Sequence, residues 1–566
     1  MKLTGSEIII KALEREGVDT IFGIPGGVVI PIFDKLYSNK KIKFILTRHE
    51  QGAAHMADGY ARSSGKVGVC IATSGPGATN LTTGLATAYM DSIPLVAITG
   101  QVASHLVGND AFQEADTTGI TRPITKQNFL VTDVGKLSEI FSQAFYLART
   151  GRQGPVLIDI PVDIQNASCE FCPNPCHKIR GYKPNLEGHP KQIKTALEAI
   201  LRSRAPLIYA GGGIISSGAA PELTALARTF DIPVTLTLMG IGAFPGTDKL
   251  FIGMPGMHGT QAANFAMQNS DLIIAIGARF DDRVTGKVDG FAPKAKIIHL
   301  DIDPTSISKN VTADIPIVGD CKIVLKQILE FCRQNKIKKK FPAWLKEVNK
   351  VKEKKPLIYK NDAILRPQYI VDRLYKLTGG RAVVVTEVGQ NQMWAEQFYK
   401  YDYPRRFLSS GGLGTMGYGL PAAIGAKAAN PDKEVVDIAG DGSIQMNIQE
   451  LATAKVNGIK VIVLILNNNY LGMVRQWQEL FYGKRYSATF LGDSKTKKYW
   501  PDFKRLAEAY GLIGITVKDK KAVDGAIKTA LKAKETCVID FKVRQEENVS
   551  PMVPGGATID QILDLA

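Results

Sequence analysis

Short runs of strand-type aliphatic residues alternate along the chain with longer amphipathic segments. A strand buried on both faces of a parallel sheet appears as a continuous apolar run, whereas a helix repeats its apolar positions every three or four residues. The alternation of these patterns predicts an α/β protein in which helices cover parallel sheets. The clearest predicted strands lie at 44–46, 67–72, 95–99 and 156–160, at 206–209, 234–236, 272–276 and 297–301, and at 434–438 and 460–466.

Length and local composition divide this pattern into three units. A chain of 566 residues is too long for one hydrophobic core, and stretches rich in Pro and Cys or in Lys interrupt the alternation. We therefore predict an α/β fold of three doubly wound parallel-sheet domains. They are expected at 1–165, 189–332 and 367–545, with linkers at 166–188 and 333–366 and an irregular tail or lid at 546–566, where Pro and Gly recur.

The first and third predicted domains share an internal repeat. Residues 69–77, 85–88 and 93–98 parallel residues 435–442, 451–454 and 459–464 at a nearly constant offset. We interpret the two domains as copies of one fold; the alternative is a chance likeness of two strand–glycine–helix units. Pro76 stands in the first copy where the third has Asp441, so we expect a metal ion at this position in the third domain alone.

Two polar segments of the third domain follow neighbouring predicted strands. Gly440-Asp441-Gly442-Ser443 ends one strand, Asn467-Asn468-Asn469-Tyr470 ends the next, and a helix is predicted between them at 446–456. Carboxylate and amide oxygens suit Mg²⁺, and glycines let the backbone approach a diphosphate closely. A plain Gly-Asp-Gly turn with an Asn-rich loop is the alternative. The pair of segments resembles the thiamine diphosphate signature, and it predicts a metal–diphosphate site.

In a thiamine enzyme a carboxyl group must bond the aminopyrimidine N1′, which favours the imino form that takes the proton from thiazolium C2. Glu50 follows a predicted strand and begins a helix, so we expect it to be this carboxyl group; a glutamate favoured by the helix dipole is the alternative. Gly26 and Gly27 offer backbone N–H groups to the cofactor or to a developing oxyanion. Phe112, Gln113 and Lys126 follow the third strand and are expected at the ligand edge of the sheet.

Composition excludes several classes of protein. No run of eighteen apolar residues exists, so no membrane span is predicted. The net charge of +16 is concentrated in lysine clusters such as 336–340 and 350–355, which look like solvated linkers and helix ends, so nucleic-acid binding is not expected. A capping box, Thr4 to Glu7, starts a helix almost at once and leaves no room for a signal or transit peptide. We expect a cytoplasmic protein, with an organelle stroma as the alternative.

Seven cysteines, an odd number, predict a reducing compartment. Cys169, Cys172 and Cys176, followed by His177, have a spacing that suits zinc or an iron–sulfur centre. The cluster lacks a second half and lies in a Pro-rich linker, so a connector without metal is the favoured interpretation.

The middle domain carries glycine loops and an arginine pair. Gly211, Gly212 and Gly213 follow a strand and open a helix, which suits the pyrophosphate of a dinucleotide, although the spacing is not the G-x-G-x-x-G fingerprint. Arg279 and Arg283 lie just past the strand 272–276, where they could bind phosphate or carboxylate. A salt-bridge cluster with the neighbouring aspartates is the alternative.

An ordered set of motifs along nearly the whole chain is similar to that of the acetohydroxyacid (acetolactate) synthase family, and the set is far more specific than any one motif. Its members are Phe22 to Gly27, His49 to Ala53, Ser74 to Asn80, Ala111 to Ala115, Gly277 to Arg283, Gly411 to Gly419 and Gly472 to Trp477.

The resemblance implies three cofactors: thiamine diphosphate, Mg²⁺ and FAD. The first domain would bind the pyrimidine, the third the diphosphate and metal, and the middle one FAD, which the net reaction does not consume. The residues implied at the FAD site are Gly211, Gly212, Gly213, Met257, His258, Gly277, Arg279, Arg283 and Asp301, with Asp320 near the adenine. Those implied at thiamine diphosphate are Val388, Gly389, Gln390, Asn391, Gly414, Met416, Gly440, Gly442, Ser443 and Met473.

The resemblance also implies roles for particular side chains. Asp441, Asn468 and the backbone carbonyl of Tyr470 would bind the metal, and Met416 would hold the cofactor in its bent form, where a core methionine is the alternative. Asn391 stands where the family often has histidine; its amide is expected to donate a hydrogen bond to the diphosphate. Trp477 would contact the extra methyl group of 2-oxobutyrate, unless it is simply a core residue.

The implied reaction decarboxylates pyruvate and transfers its two-carbon unit to pyruvate or 2-oxobutyrate, giving 2-acetolactate or 2-aceto-2-hydroxybutyrate in branched-chain amino acid biosynthesis. Arg283 would pair with the carboxylate of the second substrate. One cofactor would lie between a first and a third domain of different subunits, so a homodimer, or a tetramer, is expected, with a small regulatory subunit as partner.

Three other functions are alternatives to this synthase activity. A flavin-dependent pyruvate oxidase would share the three domains but reduce FAD; Trp477 and the run from Arg279 to Arg283 argue against it. A glyoxylate-type carboligase lacks the glutamate that Glu50 provides. A non-catalytic homologue should have lost Glu50 or Asp441, and both are present.

Overall fold

The computed structural model describes residues 1–176, 178–496 and 498–565. Three parallel sheets, of six, five and six strands in these residues, follow one another along the chain, and a two-stranded antiparallel sheet joins the first and eighth strands. The α/β class with three parallel-sheet domains is therefore confirmed. None of the helices in the described ranges is long and apolar enough to cross a membrane.

The first sheet has the spatial order β3-β2-β4-β5-β7-β6. The strands of the first domain are β1 (Lys2–Thr4), β2 (Thr20–Gly23), β3 (Lys43–Leu46), β4 (Gly68–Ala72), β5 (Leu95–Gln101), β6 (Gln127–Leu130), β7 (Pro155–Pro161) and β8 (Ser168–Glu170). Of these, β1 and β8 pair with each other outside the six-stranded sheet. Its helices are α1 (Gly5–Arg15), α2 (Ile30–Ser38), α3 (Glu50–Ser64), α4 (Pro76–Asn80), α5 (Thr82–Met90), α6 (Thr117–Thr121), α7 (Leu137–Arg149) and α8 (Val162–Asn166).

The middle sheet has the order β10-β9-β11-β12-β13, in which the strand order reverses beside the first strand of the sheet. The strands are β9 (Pro206–Ala210), β10 (Val234–Leu236), β11 (Leu272–Ile276), β12 (Lys296–Asp301) and β13 (Ile315–Val318). The helices are α9 (Pro190–Arg202), α10 (Gly212–Ser217), α11 (Ala220–Phe230), α12 (Gln261–Asn269), α13 (Asp282–Thr285) and α14 (Cys321–Gln334), followed by α15 (Pro342–Lys354).

The third sheet has the order β15-β14-β16-β17-β19-β18, which is the order of the first sheet strand for strand. The strands are β14 (Val383–Thr386), β15 (Phe407–Leu408), β16 (Val435–Gly440), β17 (Ile462–Asn467), β18 (Ile513–Val517) and β19 (Cys537–Lys542). The helices are α16 (Pro367–Thr378), α17 (Gln390–Phe398), α18 (Gly419–Ala429), α19 (Glu450–Val456), α20 (Gly472–Phe481), α21 (Phe503–Ala509) and α22 (Val523–Lys532). The shared order confirms that the repeat is one fold used twice.

Glycines let the first and third domains pack closely along α3 and α18. A Cβ at Gly59 would overlap the carbonyl oxygen of Ala422, and a Cβ at Gly425 would overlap that of Met56. The central strands are buried on both faces; all seven residues of β5 and all six of β17 are buried. This double burial explains why the strands appear in the sequence as continuous apolar runs.

Two sequence expectations need correction here, and the cysteine cluster can be placed in the fold. The helix predicted at 446–456 begins only at Glu450, because Asn447 leaves the helical conformation and donates its amide to Gly417 O at 2.7 Å. The lysine-rich linker contains α15, whose Trp344 and Val348 are buried. Cys169 lies in the β1–β8 pair and Cys172 and Cys176 are exposed; no metal-binding group of three or more His, Cys, Asp or Glu exists among the described residues, and His177 lies outside them.

Candidate active site

The carboxyl ends of β14 and β16 meet where the order of the third sheet reverses, which is where such sheets bind ligands. The loops that follow these strands line a cavity of about 70 Å³. Sequence-predicted residues on its wall are Val388, Gly389, Gln390, Asn391, Met416, Gly440, Asp441, Gly442, Ser443, Asn468, Tyr470 and Met473. The fold therefore brings together two segments that are some fifty residues apart in the sequence.

Asp441 is the buried acidic residue of this cavity. Its Oδ2 has no hydrogen-bond partner among the described residues, and burial raises the pKa of its carboxyl to about 7. The Asn468 Oδ1 accepts a hydrogen bond from Tyr470 N at 3.0 Å, so the amide oxygen and the Tyr470 backbone lie side by side. An unpartnered buried carboxylate oxygen is costly unless a cation binds it, and these hard oxygen atoms fit Mg²⁺.

The side-chain amides of Gln390 and Asn391 form hydrogen bonds with other groups of the protein. The Gln390 Nε2 donates to Gln476 Oε1 at 2.8 Å, and its Oε1 accepts from Asn468 Nδ2 at 3.2 Å. The Asn391 Nδ2 donates to the carbonyl oxygens of Glu387 and Ile438. The structure thus contradicts the expectation that the Asn391 amide donates to the diphosphate, because the carbonyl oxygens of Glu387 and Ile438 take its donors. Gln390 instead orients the Asn468 amide.

Tyr499 is a residue of this site that sequence reasoning missed. Burial, followed by the charge of the nearby Asp441 carboxylate, raises the pKa of its hydroxyl. Tyr499 lies in an irregular lysine-rich loop before α21, more than fifty residues after Asp441. Neither periodicity nor a motif marks it, so only the fold reveals the contact.

A second cavity, of about 750 Å³, lies between the three domains and shares Val388, Gly389, Met416 and Met473 with the first. This volume is within the usual range for cofactor sites. Sequence-predicted residues that line it are Gly212, Gly213, Met257, His258, Gly277, Arg279, Arg283, Asp301, Gly414 and Trp477. An arginine side chain and exposed glycine backbone fit the phosphates of a dinucleotide, so the donor set is compatible with FAD.

Two predicted FAD residues do not line this cavity. Gly211 precedes α10, and its Cβ would overlap Gly277 O, so it is a glycine because β9 and β11 pack closely there. The Asp320 carboxylate caps α14 by accepting from Lys322 N and Ile323 N. Burial raises the pKa of Asp301 to about 6 and lowers that of His258 to about 4.

The predicted placement of Lys126 at the ligand edge is wrong. Lys126 immediately precedes β6, at the amino end of the strand, and its backbone N–H bonds Pro155 O. Its Nζ donates to the carbonyl oxygens of Leu147 and Thr150 at the end of α7. Burial lowers its pKa to about 8. The sequence pattern predicts no strand at 127–130, and because Lys126 lies at the start of β6, its amine belongs to the opposite edge of the sheet.

The turn that carries Met416 is held from several sides. The Glu387 Oε2 accepts from Gly417 N at 2.7 Å and its Oε1 from Leu420 N at 3.3 Å. From the first domain, Asp91 accepts from Gly411 N and Gly412 N. Burial raises the pKa of Glu387 to about 7. These contacts fix Met416 at the junction of the two cavities.

The tail after residue 545 covers the side of the large cavity where Trp477 lies. Arg475 donates to Glu547 O and Asn548 Oδ1, and Gln476 exchanges two hydrogen bonds with the backbone of Val549. A Cβ at Gly555 would lie 3.5 Å from the Trp477 ring. Trp477 is therefore a half-buried residue of α20 that lines the cavity and packs against the tail, and it is not a core residue.

The predicted residues of the first domain lie at the carboxyl edge of its own sheet. The Glu50 Oε2 accepts from Asn80 Nδ2 at 2.9 Å, and Gly26 packs against Thr73. The Phe112 side chain is 88% exposed, and Gln113 is also exposed. Among the described residues, Glu50, Gly26, Gly27, Phe112 and Gln113 line neither of the two cavities. Within one chain this half of the site does not meet the Asp441 half.

Comparison with known families agrees with this geometry. Three models of thiamine pyrophosphate enzymes match the chain: the N-terminal TPP binding domain at residues 3–120, the central domain at 193–328 and the C-terminal TPP binding domain at 387–541. The two TPP-binding matches fall on the two sheets of equal order. The fold and the site define the class as a thiamine pyrophosphate enzyme.

Relatives of similar length identify the family within this class of enzymes. The chain is 51% identical over 567 residues to an acetolactate synthase of Mycobacterium bovis, covering 99% of this chain and 91% of the relative. It is 48% identical over 569 residues to the acetolactate synthase large subunit of Haemophilus influenzae, covering 99% and 98%. The large subunit of Buchnera aphidicola is 50% identical over 562 residues, covering 98% and 97%. The chain belongs to the acetolactate synthase large-subunit family.

Proposed function

We propose that the chain decarboxylates pyruvate and joins the two-carbon unit to a second 2-oxo acid, using thiamine diphosphate, Mg²⁺ and FAD. The observation that carries the proposal is the buried Asp441 Oδ2, which has no hydrogen-bond partner among the described residues and faces a cavity at the reversal point of the third sheet. Thiamine diphosphate, when bound, supplies the electron sink for the decarboxylation.

The residues of the third domain would bind and orient the cofactor. Asp441, Asn468 and the Tyr470 carbonyl would hold Mg²⁺, and the backbone of Gly440 and Gly442 leaves room for the diphosphate. Met416, fixed by its clamped turn, would support the bent cofactor.

Glu50 would hold a proton at the aminopyrimidine N1′. Asn80 donates to one oxygen of its carboxylate, which leaves the other available. Since Glu50 and Asp441 line no common cavity in one chain, the active site would be completed between subunits of a homodimer. The exposed Phe112 and Gln113 belong to the same edge and would be covered by the partner.

Trp477 and Arg283 would select the second substrate. Both line the large cavity, and the Arg283 guanidinium forms an exposed ion pair with Asp282 at 3.3 Å, which a substrate carboxylate could replace. A guanidinium pairs well with the substrate carboxylate. One extra methyl group against an apolar wall is worth about 1–3 kcal/mol, so we expect 2-oxobutyrate to be preferred over pyruvate as the acceptor.

FAD would occupy the large cavity with Arg279 and the glycine loops around it, in a structural role. A small regulatory subunit is proposed as a partner because relatives are named large subunits. The cytoplasmic location expected from the sequence stays a prediction.

Turnover of pyruvate by the purified protein tests this proposal. We expect acetolactate to form with thiamine diphosphate, Mg²⁺ and FAD while the flavin absorbance stays that of oxidised FAD. Bleaching of the flavin together with acetate or acetyl phosphate would instead establish the oxidase.

A further inference from the structure

The third domain reaches across to the start of the helix that carries Glu50. Glu450, the first residue of α19, accepts hydrogen bonds from His49 N at 3.0 Å and from Arg48 N at 3.1 Å on its Oε1. Its Oε2 accepts from Arg48 N at 3.2 Å and from Thr453 Oγ1 at 2.7 Å. One carboxylate therefore binds the two backbone groups that immediately precede Glu50.

The local sequence makes room for this contact. Glu450 is fully buried, and a Cβ at residue 52 would lie 2.5 Å from its Oε1, so Gly52 leaves the space that the carboxylate fills. Burial raises the pKa of Glu450 to about 7. Burying a carboxyl group is costly unless donors surround it, so a packing role alone would be met better by an apolar residue.

The anchored backbone determines where the Glu50 side chain starts. His49 is the extended residue before α3, and its Nδ1 accepts from Gln51 N at 3.0 Å, which caps the helix from within. Asn80 contacts the far end of the Glu50 carboxylate at 2.9 Å. Glu450 fixes the near end through the backbone, and the two contacts together restrict the position of the carboxylate.

We propose that Glu450 is a positioning residue for Glu50, which it holds from another domain of the same chain. The inference rests on the proposed role of Glu50 as the carboxyl group at N1′. It assigns to a residue outside both cavities an effect on the proton transfer at the cofactor. A misplacement of reacting groups by about 1 Å can reduce a rate by about 10²-fold.

Two substitutions at position 450 distinguish the effect of side-chain length from the effect of charge. Glu450→Gln keeps an oxygen that can accept from both backbone N–H groups, and its Nε2 can donate to Thr453 Oγ1. Glu450→Asp keeps the charge but shortens the side chain by one methylene group, so it cannot reach both groups. Gly52→Ala is a third route, because the new methyl group displaces the carboxylate without removing a polar group. Glu535→Gln, which alters an exposed pair with Lys455 of α19, is the matched control.

Hydrogen–deuterium exchange at C2 of bound thiamine diphosphate measures the step that Glu50 serves. We expect Glu450→Asp and Gly52→Ala to slow this exchange by about 10–10²-fold, with unchanged cofactor affinity. Glu450→Gln should stay close to the native rate, and Glu535→Gln should equal it. In the chain without cofactor, backbone amide exchange of the peptide around Arg48 and His49 should become faster in Glu450→Asp and Gly52→Ala only.

Native C2 exchange in both Glu450→Asp and Gly52→Ala would overturn the inference. A slower exchange in Glu450→Gln than in Glu450→Asp would also overturn it, because charge rather than reach would then matter. Glu50→Gln, measured in parallel, distinguishes a failure of the proposed role of Glu50 from a failure of the inference about Glu450. If it exchanges C2 at the native rate, the proposed role of Glu50 itself fails; if it is slow while the Glu450 and Gly52 variants are native, only the inference fails.

Discussion

Single buried carboxylates dominate the chemistry of this chain. Asp441, Glu387, Glu450 and Asp437 are all buried, and burial raises the pKa of each. They differ in their partners: Glu387 and Glu450 accept backbone hydrogen bonds, whereas Asp441 Oδ2 and both oxygens of Asp437 have none in the described residues. A missing partner at a cavity points to a ligand, and one inside the core points to a bound proton.

Gln390→Leu tests the orientation of a metal ligand. Without its Oε1, the Asn468 amide is free to rotate and present its nitrogen to the cation. Outer contacts of this kind typically contribute about 10–100-fold in metal affinity, and we expect that loss for Mg²⁺ in a titration of the protein with thiamine diphosphate. Gln397→Leu, at the other end of α17, should leave the affinity unchanged. Equal affinities for the two variants would contradict the assignment.

Asp437→Asn tests the proton held in the core. Burial and the charge of Glu387 raise the folded pKa of Asp437 well above the value of about 3.9 expected in the unfolded chain. The folded chain thus holds a proton that the unfolded chain has lost, and stability falls as pH rises through this window, by up to about 1.4 kcal/mol per pH unit. We expect the thermal midpoint of the variant to exceed that of the native protein at pH 8, and the gap to close towards pH 4. A gap that is constant with pH would rule out the bound proton.

At the scale of elements, the strands and the helix starts were largely predictable, and their mutual contacts were not. The predicted strands agree with β4, β5, β11 and β17 because double burial imposes apolar runs. The helix at 446–456 and the position of Lys126 were wrong, because hydrogen bonds to distant segments decided them. Asp91, Glu387 and Tyr499 had no local signal at all. The periodicity of apolar residues predicts which positions are buried, but it does not predict which segment packs against them.

Removal of residues 551–566 tests the covering role of the tail. Trp477 contacts Gly555, whereas Trp344 and Trp394 are buried and Trp500 is 60% exposed. In a Trp500→Phe background, we expect the truncation to increase acrylamide quenching of tryptophan fluorescence, because Trp477 loses its cover. Substitution of Ile562 by Ala in the intact tail is the control. Unchanged quenching would show that the tail does not shield Trp477.

At the scale of the whole molecule, the two equal sheets divide the labour. The third domain holds the residues proposed to bind the metal and diphosphate, and the first offers Glu50, whose carboxylate accepts a hydrogen bond from Asn80. Within one chain the domains meet along α3 and α18, through Gly59 and Gly425. That contact leaves the Glu50 edge uncovered, which is the reason for proposing that a second copy completes the site.

Mixed dimers test this division. If the active site lies between subunits, a dimer of one Glu50→Gln chain and one Asp441→Ala chain has one site with both residues intact. Refolding or co-expressing the two inactive variants in equal amounts should restore about a quarter of native activity, since half of the dimers are mixed and each has one working site. Two Glu50→Gln preparations mixed together are the control. No recovery, with mixed dimers present by mass, would place the whole site within one chain.

The sequence alone determined the α/β class, the repeat and the family, and it singled out Asp441 as the proposed metal ligand, because each leaves a local trace: apolar runs, matching spacing, or a short motif at a strand end. Only the tertiary structure decided which side chains are used internally, as with Asn391 and Gln390, and which distant groups hold the catalytic segments, as with Glu450 on Arg48 and His49. Such contacts join residues up to 402 positions apart. They depend on how the domains pack, and no spacing within the chain encodes that.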